Sequence, residues 1–219
     1  MAAVLSGTAM TGQIRRNSNR ETAYCPILWV LAAALLLTIL RAVAEPAPGN
    51  EGLPIGQHAP AFRLKDQNGK EVSLDELLKK GPVALVFHRS VDWCLYCKLQ
   101  MIQLQRIQKE IEAAGGQVVG ISYDSVDKLQ SYAKRHKIIF PLLSDAGSKT
   151  IDAYDIRSKE APPEISGFAR HATFIIDQQG VIRSKIFRLS YQERPAVDLL
   201  INALKEARNV NNVKGETKS

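Results

Sequence analysis

Two cysteines three residues apart, Cys94 and Cys97, are the residues of this sequence best suited to chemistry. The thiolate of a cysteine is a nucleophile, and two cysteines at this spacing on one helical turn close a tight disulfide. One sulfur attacks a substrate and the other resolves the product. The pair therefore predicts a reversible redox couple.

The elements around the pair predict where the two sulfurs lie. Residues 83–87 form an apolar, β-branched-rich run after a Gly-Pro break, which is typical of a strand buried on both faces. An amphipathic helix follows, marked by apolar residues at three- and four-residue steps: Met101, Leu104, Ile107 and Ile111. The unpaired N–H groups of a first helical turn favour negative charge, so a thiolate is stabilised there and its pKa falls.

Two other interpretations of the pair stay open. Half of a structural zinc site is disfavoured, because no second pair of ligands occurs and Cys25 lies in an apolar segment, where it is interpreted as a small hydrophobe. A purely structural disulfide is typical of exported proteins. We expect neither a metal nor a cofactor.

Residues 87–97, FHRSVDWCLYC, resemble the peroxiredoxin-like branch of the alkyl hydroperoxide reductase and thiol-specific antioxidant family, within the thioredoxin superfamily. Residues 56–64, GQHAPAFRL, with the Asn-Gly turn that follows, are similar to the start of that fold, and residues 140–145, FPLLSD, add a third match. The resemblance spans about residues 53–208. It implies a thioredoxin-like α/β fold, a mixed central sheet with helices on both faces.

Sequence patterns outside the cysteine region predict the same class. Asn68-Gly69 between two alternating runs predicts a hairpin, and strand and helix patterns then alternate as in βαβ units. Residues 140–145 are predicted as an edge-like strand, because Pro141 disfavours a central one. A strand, a turn and a second strand are expected over residues 171–182, and a last helix over about residues 193–208.

The resemblance also implies roles for site residues. Cys94, at the helix start and the more exposed of the pair, is expected to be the attacking thiolate, with Cys97 as the resolving thiol. His171 stands where related folds pack a proline or an arginine against the active cysteine, and an imidazole there lowers the pKa of the thiol or passes a proton. The alternative is a histidine fixed by a backbone hydrogen bond. Arg89 and Trp93 are expected to shape the electrostatics around Cys94.

The amino-terminal residues predict export. Arginines precede an apolar run from Ile27 to Leu40, and Ala42-Val43-Ala44 fits a signal-peptidase site, so residues 1–44 are interpreted as a signal peptide or an uncleaved signal anchor. Residues 45–55 are a predicted linker, 56–208 the domain and 209–219 a polar tail. The predicted location is periplasmic or otherwise extracytoplasmic, with one N-terminal transmembrane helix as the anchor if the segment is uncleaved.

Charge and partners complete the prediction. The net charge is +7, but residues 1–44 hold four arginines and one glutamate, so 25 basic and 21 acidic residues elsewhere leave only +4. No basic patch is interleaved with aromatic residues, and nucleic-acid binding is not expected.

Three functions are considered for the cysteine pair. The first, favoured by the resemblance, is an antioxidant enzyme that reduces hydroperoxides. The second is a membrane-tethered or periplasmic protein-disulfide reductase of the cytochrome-maturation type. Both need a thiol electron donor, expected at or across the membrane if the protein is exported. The third is a non-catalytic binding module with a permanent disulfide.

Overall fold

The computed structural model describes residues 52–159, 161–187 and 194–216. The predicted signal or anchor segment, residues 1–44, and most of the predicted linker lie outside the described residues. Within the described part, no helix has both the length and the apolar character needed to cross a bilayer. Leu53 already packs against the folded core. The division of the chain at residues 44, 55 and 208 stays a prediction.

The described residues form alternating strands and helices. The strands are β1 (Arg63–Asp66), β2 (Glu71–Ser73), β3 (Val83–Phe87), β4 (Gln117–Ser122), β5 (Leu142–Ser144), β6 (Ala172–Ile176) and β7 (Ile182–Phe187). The helices are α1 (Leu74–Leu78), α2 (Leu95–Arg106), α3 (Gln108–Ala113), α4 (Val126–His136), α5 (Lys149–Ala153) and α6 (Arg194–Glu216), with a 3-10 turn at Pro163–Ile165.

The strands pair in one mixed sheet. In the part of the chain described here it has seven strands, in the order β2-β1-β5-β4-β3-β6-β7. β3, β4 and β5 are parallel at its centre, while β1 and β6 run antiparallel to their neighbours β5 and β3. The predicted mixed central sheet is confirmed.

Two hydrophobic clusters cover the two faces of the sheet. One contains α2, α4 and α6 side chains, including Met101, Leu129 and Leu204. The other contains α1 and α5 side chains, including Leu77 and Ile151. Helices therefore lie on both faces, as the thioredoxin-like α/β prediction requires. β3 is wholly apolar, and β6 is apolar except for Thr173, because both faces of these two strands are buried.

The hairpin and the first helix follow local sequence rules. Gly69 has a φ of 76° in the β1–β2 turn, which suits the predicted Asn-Gly turn. Ser73 caps α1, because its side chain accepts from the Glu76 N–H while the Glu76 carboxylate accepts from the Ser73 N–H.

One strand differs from the prediction. β5 lies inside the sheet, between β1 and β4, and is not at an edge. Pro141 precedes the strand, so it removes no hydrogen bond of the ladder, and its carbonyl accepts from the Gly120 N–H at 2.9 Å. The β1–β2 hairpin then covers the outer side of β5.

Two helices also differ from expectation. The helix after the cysteines breaks at Ile107, which ends α2 and starts α3. α6 continues to Glu216 instead of ending near residue 208. No glycine or proline interrupts the chain between Pro195 and Gly215, so a helix that has formed by residue 208 meets no strong breaker.

Candidate active site

Both cysteines lie at the start of α2, directly after the loop that leaves β3. Cys94 is the N-cap residue, and its Sγ accepts a hydrogen bond from the Cys97 N–H at 3.2 Å. The two residues form a disulfide, with Cα atoms 5.3 Å apart. Cys94 is 3% exposed and Cys97 is 0% exposed, so the predicted order of exposure holds but both sulfurs are buried.

His171 reaches the pair from the other side. Its Nε2 lies 3.0 Å from the Sγ of Cys97. The residue is placed by the sheet, because β6 pairs with β3 in a register that sets Ala172 opposite Phe87. The next position outward brings His171 beside His88, where the cysteine loop begins. A backbone bond from the Arg170 N–H to the Ile156 carbonyl, 2.7 Å, holds the approach to β6.

A buried carboxylate holds the loop between β3 and the cysteines. Asp124 accepts from the Ser90 hydroxyl at 2.7 Å, from the Val91 N–H at 2.7 Å and from the Ser122 hydroxyl at 2.9 Å. Ser90 Oγ in turn accepts from the Asp92 N–H at 2.9 Å. β3 and β4 are parallel neighbours, so the loops at their carboxyl ends meet above the same edge.

Trp93 and Arg89 form the outer wall of the site. The Trp93 ring is 38% exposed, packs edge-on against Phe168 at 5.3 Å and donates through Nε1 to the Tyr123 hydroxyl at 2.8 Å. The Arg89 guanidinium lies over the Trp93 ring, 5.4 Å from its centroid. Trp93 directly precedes Cys94 in the chain, and the charge of Arg89 acts on His171.

Two histidines near the pair are held in the neutral form. Burial lowers the pKa of His171 to about 4, and the positive charge of Arg89 adds to the effect. Burial lowers the pKa of His88 to about 3, with His171 as the second cause. Neither ring nitrogen of His88 has a hydrogen-bond partner in the part of the chain that is described.

The structure brings together all five residues predicted from sequence, namely Arg89, Trp93, Cys94, Cys97 and His171. His171 contacts the sulfur of Cys97, however, and not that of Cys94. The hold of Asp124 on the cysteine loop was not predicted from the sequence. Its position directly after a buried strand, in Ser-Tyr-Asp, was the available signal.

Three of these side chains could also bind a metal ion. Among the described residues, the Sγ atoms of Cys94 and Cys97 and a ring nitrogen of His171 form a donor group with all atoms within 4.8 Å of one another. Zinc was disfavoured from the sequence because no second pair of ligands accompanies the cysteines. The third donor, His171, directly precedes the distant strand β6.

Comparison with known proteins identifies relatives of the domain. The sequence model of the AhpC/TSA family matches residues 55–185. The chloroplastic peroxiredoxin Q of Sedum lineare is 30% identical over 150 residues, which cover 68% of this chain and 76% of that protein. The chloroplastic peroxiredoxin Q of Arabidopsis thaliana is 33% identical over 153 residues, covering 69% and 67%.

Solved structures agree with these sequence relatives. The crystal structure of peroxidoxin BcpB from Mycobacterium tuberculosis superposes with a TM-score of 0.64 and 25% identity, over 70% of this chain and 97% of that one. Peroxiredoxin Q of Xanthomonas campestris gives a TM-score of 0.58 at 19% identity, over 66% and 90%, and supports the fold alone.

These relatives contradict the predicted location. The similar plant proteins are named as chloroplastic. The prediction of an exported, periplasmic or extracytoplasmic protein is therefore wrong, and nothing supports an electron donor at a membrane. The apolar run from Ile27 to Leu40 that suggested export lies outside the described residues.

Proposed function

This chain belongs to the AhpC/TSA family, and from that premise we propose that it reduces hydroperoxides through Cys94 and Cys97. It is a peroxiredoxin-like antioxidant and a thiol-dependent oxidoreductase. The observation that carries the proposed mechanism is the bond between the two sulfurs at the start of α2, with the His171 imidazole 3.0 Å from one of them.

In the first step, the Cys94 thiolate attacks the peroxide. Its Sγ is the atom that the Cys97 N–H bonds at 3.2 Å, and it caps a helix whose free N–H groups favour negative charge. One oxygen atom is transferred to the sulfur, the O–O bond breaks and the alkoxide leaves as an alcohol after taking a proton. Cys94 becomes a sulfenic acid.

In the second step, Cys97 resolves that intermediate. The Cys97 sulfur attacks the Cys94 sulfur, an S–S bond forms, and the hydroxyl leaves as water. We expect His171 to take the Cys97 proton, since its ring nitrogen contacts that sulfur and its lowered pKa keeps it neutral at pH 7. Both cysteines lie on one turn, so the disulfide can form without bringing in a residue from another helix or strand.

In the third step, an external dithiol returns two electrons to the disulfide by thiol exchange. Approach is possible from the solvent side, where Leu95 is 64% exposed and Tyr96 is 72% exposed. Arg89 and Trp93 are positioning residues in this scheme. Burial keeps the pKa of His171 low and the charge of Arg89 adds to this effect, while Trp93 anchors the loop to Tyr123.

Stopped-flow measurement of the reduced protein tests the proposal. Trp93 lies beside Cys94, so its fluorescence should report oxidation of the pair, and a Trp93→Phe variant should lose that signal. We expect hydrogen peroxide to oxidise the protein with a second-order rate constant of at least about 10⁴ M⁻¹s⁻¹, the lower range of efficient enzymes.

Two controls, a model protein disulfide and free cysteine, distinguish the three candidate functions. A model protein disulfide, offered under the same conditions, should react more slowly than peroxide. If it reacts faster, the chain is a disulfide reductase. If neither oxidises the reduced pair faster than it oxidises free cysteine, the pair is a structural bond and the peroxidase mechanism fails.

A further inference from the structure

We propose that the reduced protein binds one Zn²⁺ ion through Cys94 Sγ, Cys97 Sγ and His171 Nε2, and that oxidation of the cysteine pair releases it. Zinc prefers thiolate and imidazole ligands, and a Cys₂His set with one open position is a known type of zinc site. The binding does not depend on peroxidase activity. Release by peroxide rests on the proposed function.

The distances suit this ion once the disulfide is open. Zn–S bonds of about 2.3 Å and Zn–N bonds of about 2.0 Å place tetrahedral ligand atoms roughly 3.5–3.8 Å apart. The three donor atoms already lie within 4.8 Å of one another, and the Cys97 sulfur is 3.0 Å from the His171 nitrogen. Reduction separates the sulfurs toward the required distance, so modest side-chain rotation completes the set.

Two independent elements hold the donors in place. The cysteines are fixed by the first turn of α2, where the Cys97 N–H already bonds the Cys94 sulfur. His171 is fixed by the pairing of β6 with β3. Because the ligands do not all lie on one flexible loop, the fold keeps the three donors close together.

The fourth position is open. Within the described residues, no other cysteine, histidine or carboxylate joins this group. Water is the expected fourth ligand, reached from the side of the exposed Leu95 and Tyr96.

Metal binding and the disulfide exclude each other. Binding replaces two thiol protons, so the two thiols and Zn²⁺ give the zinc dithiolate and two protons. Hydrogen peroxide and two protons then convert the zinc dithiolate to the disulfide, free Zn²⁺ and two water molecules. The thiolates lose two electrons and the peroxide gains them. The zinc-loaded form is therefore reduced, and its oxidation by peroxide releases the ion.

Metal titration of the full chain tests the site. The protein is reduced, freed of reductant without oxygen, and titrated with Zn²⁺ against a chromophoric chelator. We expect one tightly bound ion per chain in the reduced form and none in the disulfide form. Co²⁺ should give the visible bands of a tetrahedral site with a thiolate charge-transfer band.

Variants identify the ligands. His171→Ala should weaken binding by more than about 100-fold, since loss of a ligand exceeds the 10–100-fold cost of losing an outer partner. His171→Cys should restore binding with a stronger charge-transfer band, and His136→Ala, on α4, should bind as the parent does. Absence of binding by the reduced protein, or equal binding by His171→Ala, overturns the proposal.

Release is measured separately. Peroxide and a chemical disulfide-forming oxidant are each added to the zinc-loaded protein, and freed Zn²⁺ is followed with the chelator. Release by both supports the whole scheme. Release by the chemical oxidant alone leaves the zinc site standing and counts against the peroxidase mechanism. Retention of the ion after the disulfide has formed overturns the proposed exclusion.

Discussion

The two sulfurs of the pair differ in what surrounds them, although they lie three residues apart on one turn. On the Cys94 side, a backbone N–H bonds the sulfur and the Asp124 network holds the preceding loop. On the Cys97 side, the contact is a side chain, His171, supplied by the opposite part of the sheet. One sulfur is thus contacted by the backbone and the other by an imidazole that a substitution can remove.

The sharpest test of this contrast replaces each cysteine in turn. Cys94→Ser should reduce peroxide consumption by at least about 1,000-fold, because loss of a catalytic nucleophile removes most of the rate enhancement. Cys97→Ser should still react once with peroxide and accumulate a sulfenic acid, detectable with a sulfenic-acid reagent and mass spectrometry. The reverse pattern would assign the attack to Cys97.

Replacing the imidazole should affect only the Cys97 side. His171→Gln is expected to slow disulfide closure by about 100-fold, the lower range of general acid–base catalysis, while the first reaction with peroxide keeps its rate. Two-phase stopped-flow traces separate the steps, and the second phase should show a changed pH profile. His136→Gln serves as the matched control on α4. A slowed first phase would show instead that His171 acts on Cys94.

Replacing the buried aspartate should affect the Cys94 side. Asp124→Asn keeps the size of the side chain but turns one of its acceptors into a donor facing the Ser90 hydroxyl or the Val91 N–H. We expect a loss of about 1–3 kcal/mol in the free energy of unfolding, the usual cost of an unsatisfied buried polar group. Urea denaturation measures it. Asp127→Asn, an exposed neighbour, should change little, and equal losses in both variants would rule out the proposed loop clamp.

The protein should also lose stability in acid, because of two buried histidines on the Cys97 side of the site. His88 and His171 stay neutral in the fold down to pKa values of about 3 and 4, whereas the unfolded chain takes up their protons near 6.5. Below pH 6.5, the free energy of unfolding should therefore fall by about 1.4 kcal/mol per pH unit for each histidine, until pH reaches the folded pKa.

His88→Leu isolates one of the two contributions. The variant removes a buried ring with unpartnered nitrogens, so it should be close to neutral at pH 7 and should lose less stability in mild acid than the parent. Urea unfolding midpoints across this pH range measure the difference. If the stability of the variant falls with decreasing pH as steeply as that of the parent, the contribution assigned to His88 is contradicted.

Local patterns predicted the parts of the site that local forces build. The buried strand, the helix start and the position of both cysteines follow from residue spacing alone, and the hairpin follows from Asn68-Gly69. Asp124 could not be assigned in this way, because its partner Ser90 lies 34 residues earlier and meets it only when β3 and β4 pair. The contact of His171 with Cys97, and not Cys94, likewise depends on strand register.

Sheet order was beyond local patterns for the same reason. Pro141 suggested an edge, but whether a strand is interior depends on which other strand covers it, and here the β1–β2 hairpin does so. The length of α6 depended on where a breaker falls. Residues that pack or pair across the sheet therefore set the details that periodicity left open.

The two edge strands of the sheet affect how the protein behaves at high concentration. One edge is β2, only three residues long, and the other is β7, which carries Arg183 and Lys185. Arg183 is tied to Asp177 at 2.6 Å, and Lys185 lies over the Phe187 ring. Short or cationic borders offer a poor template for another chain to extend, so the fold is guarded against edge-to-edge aggregation.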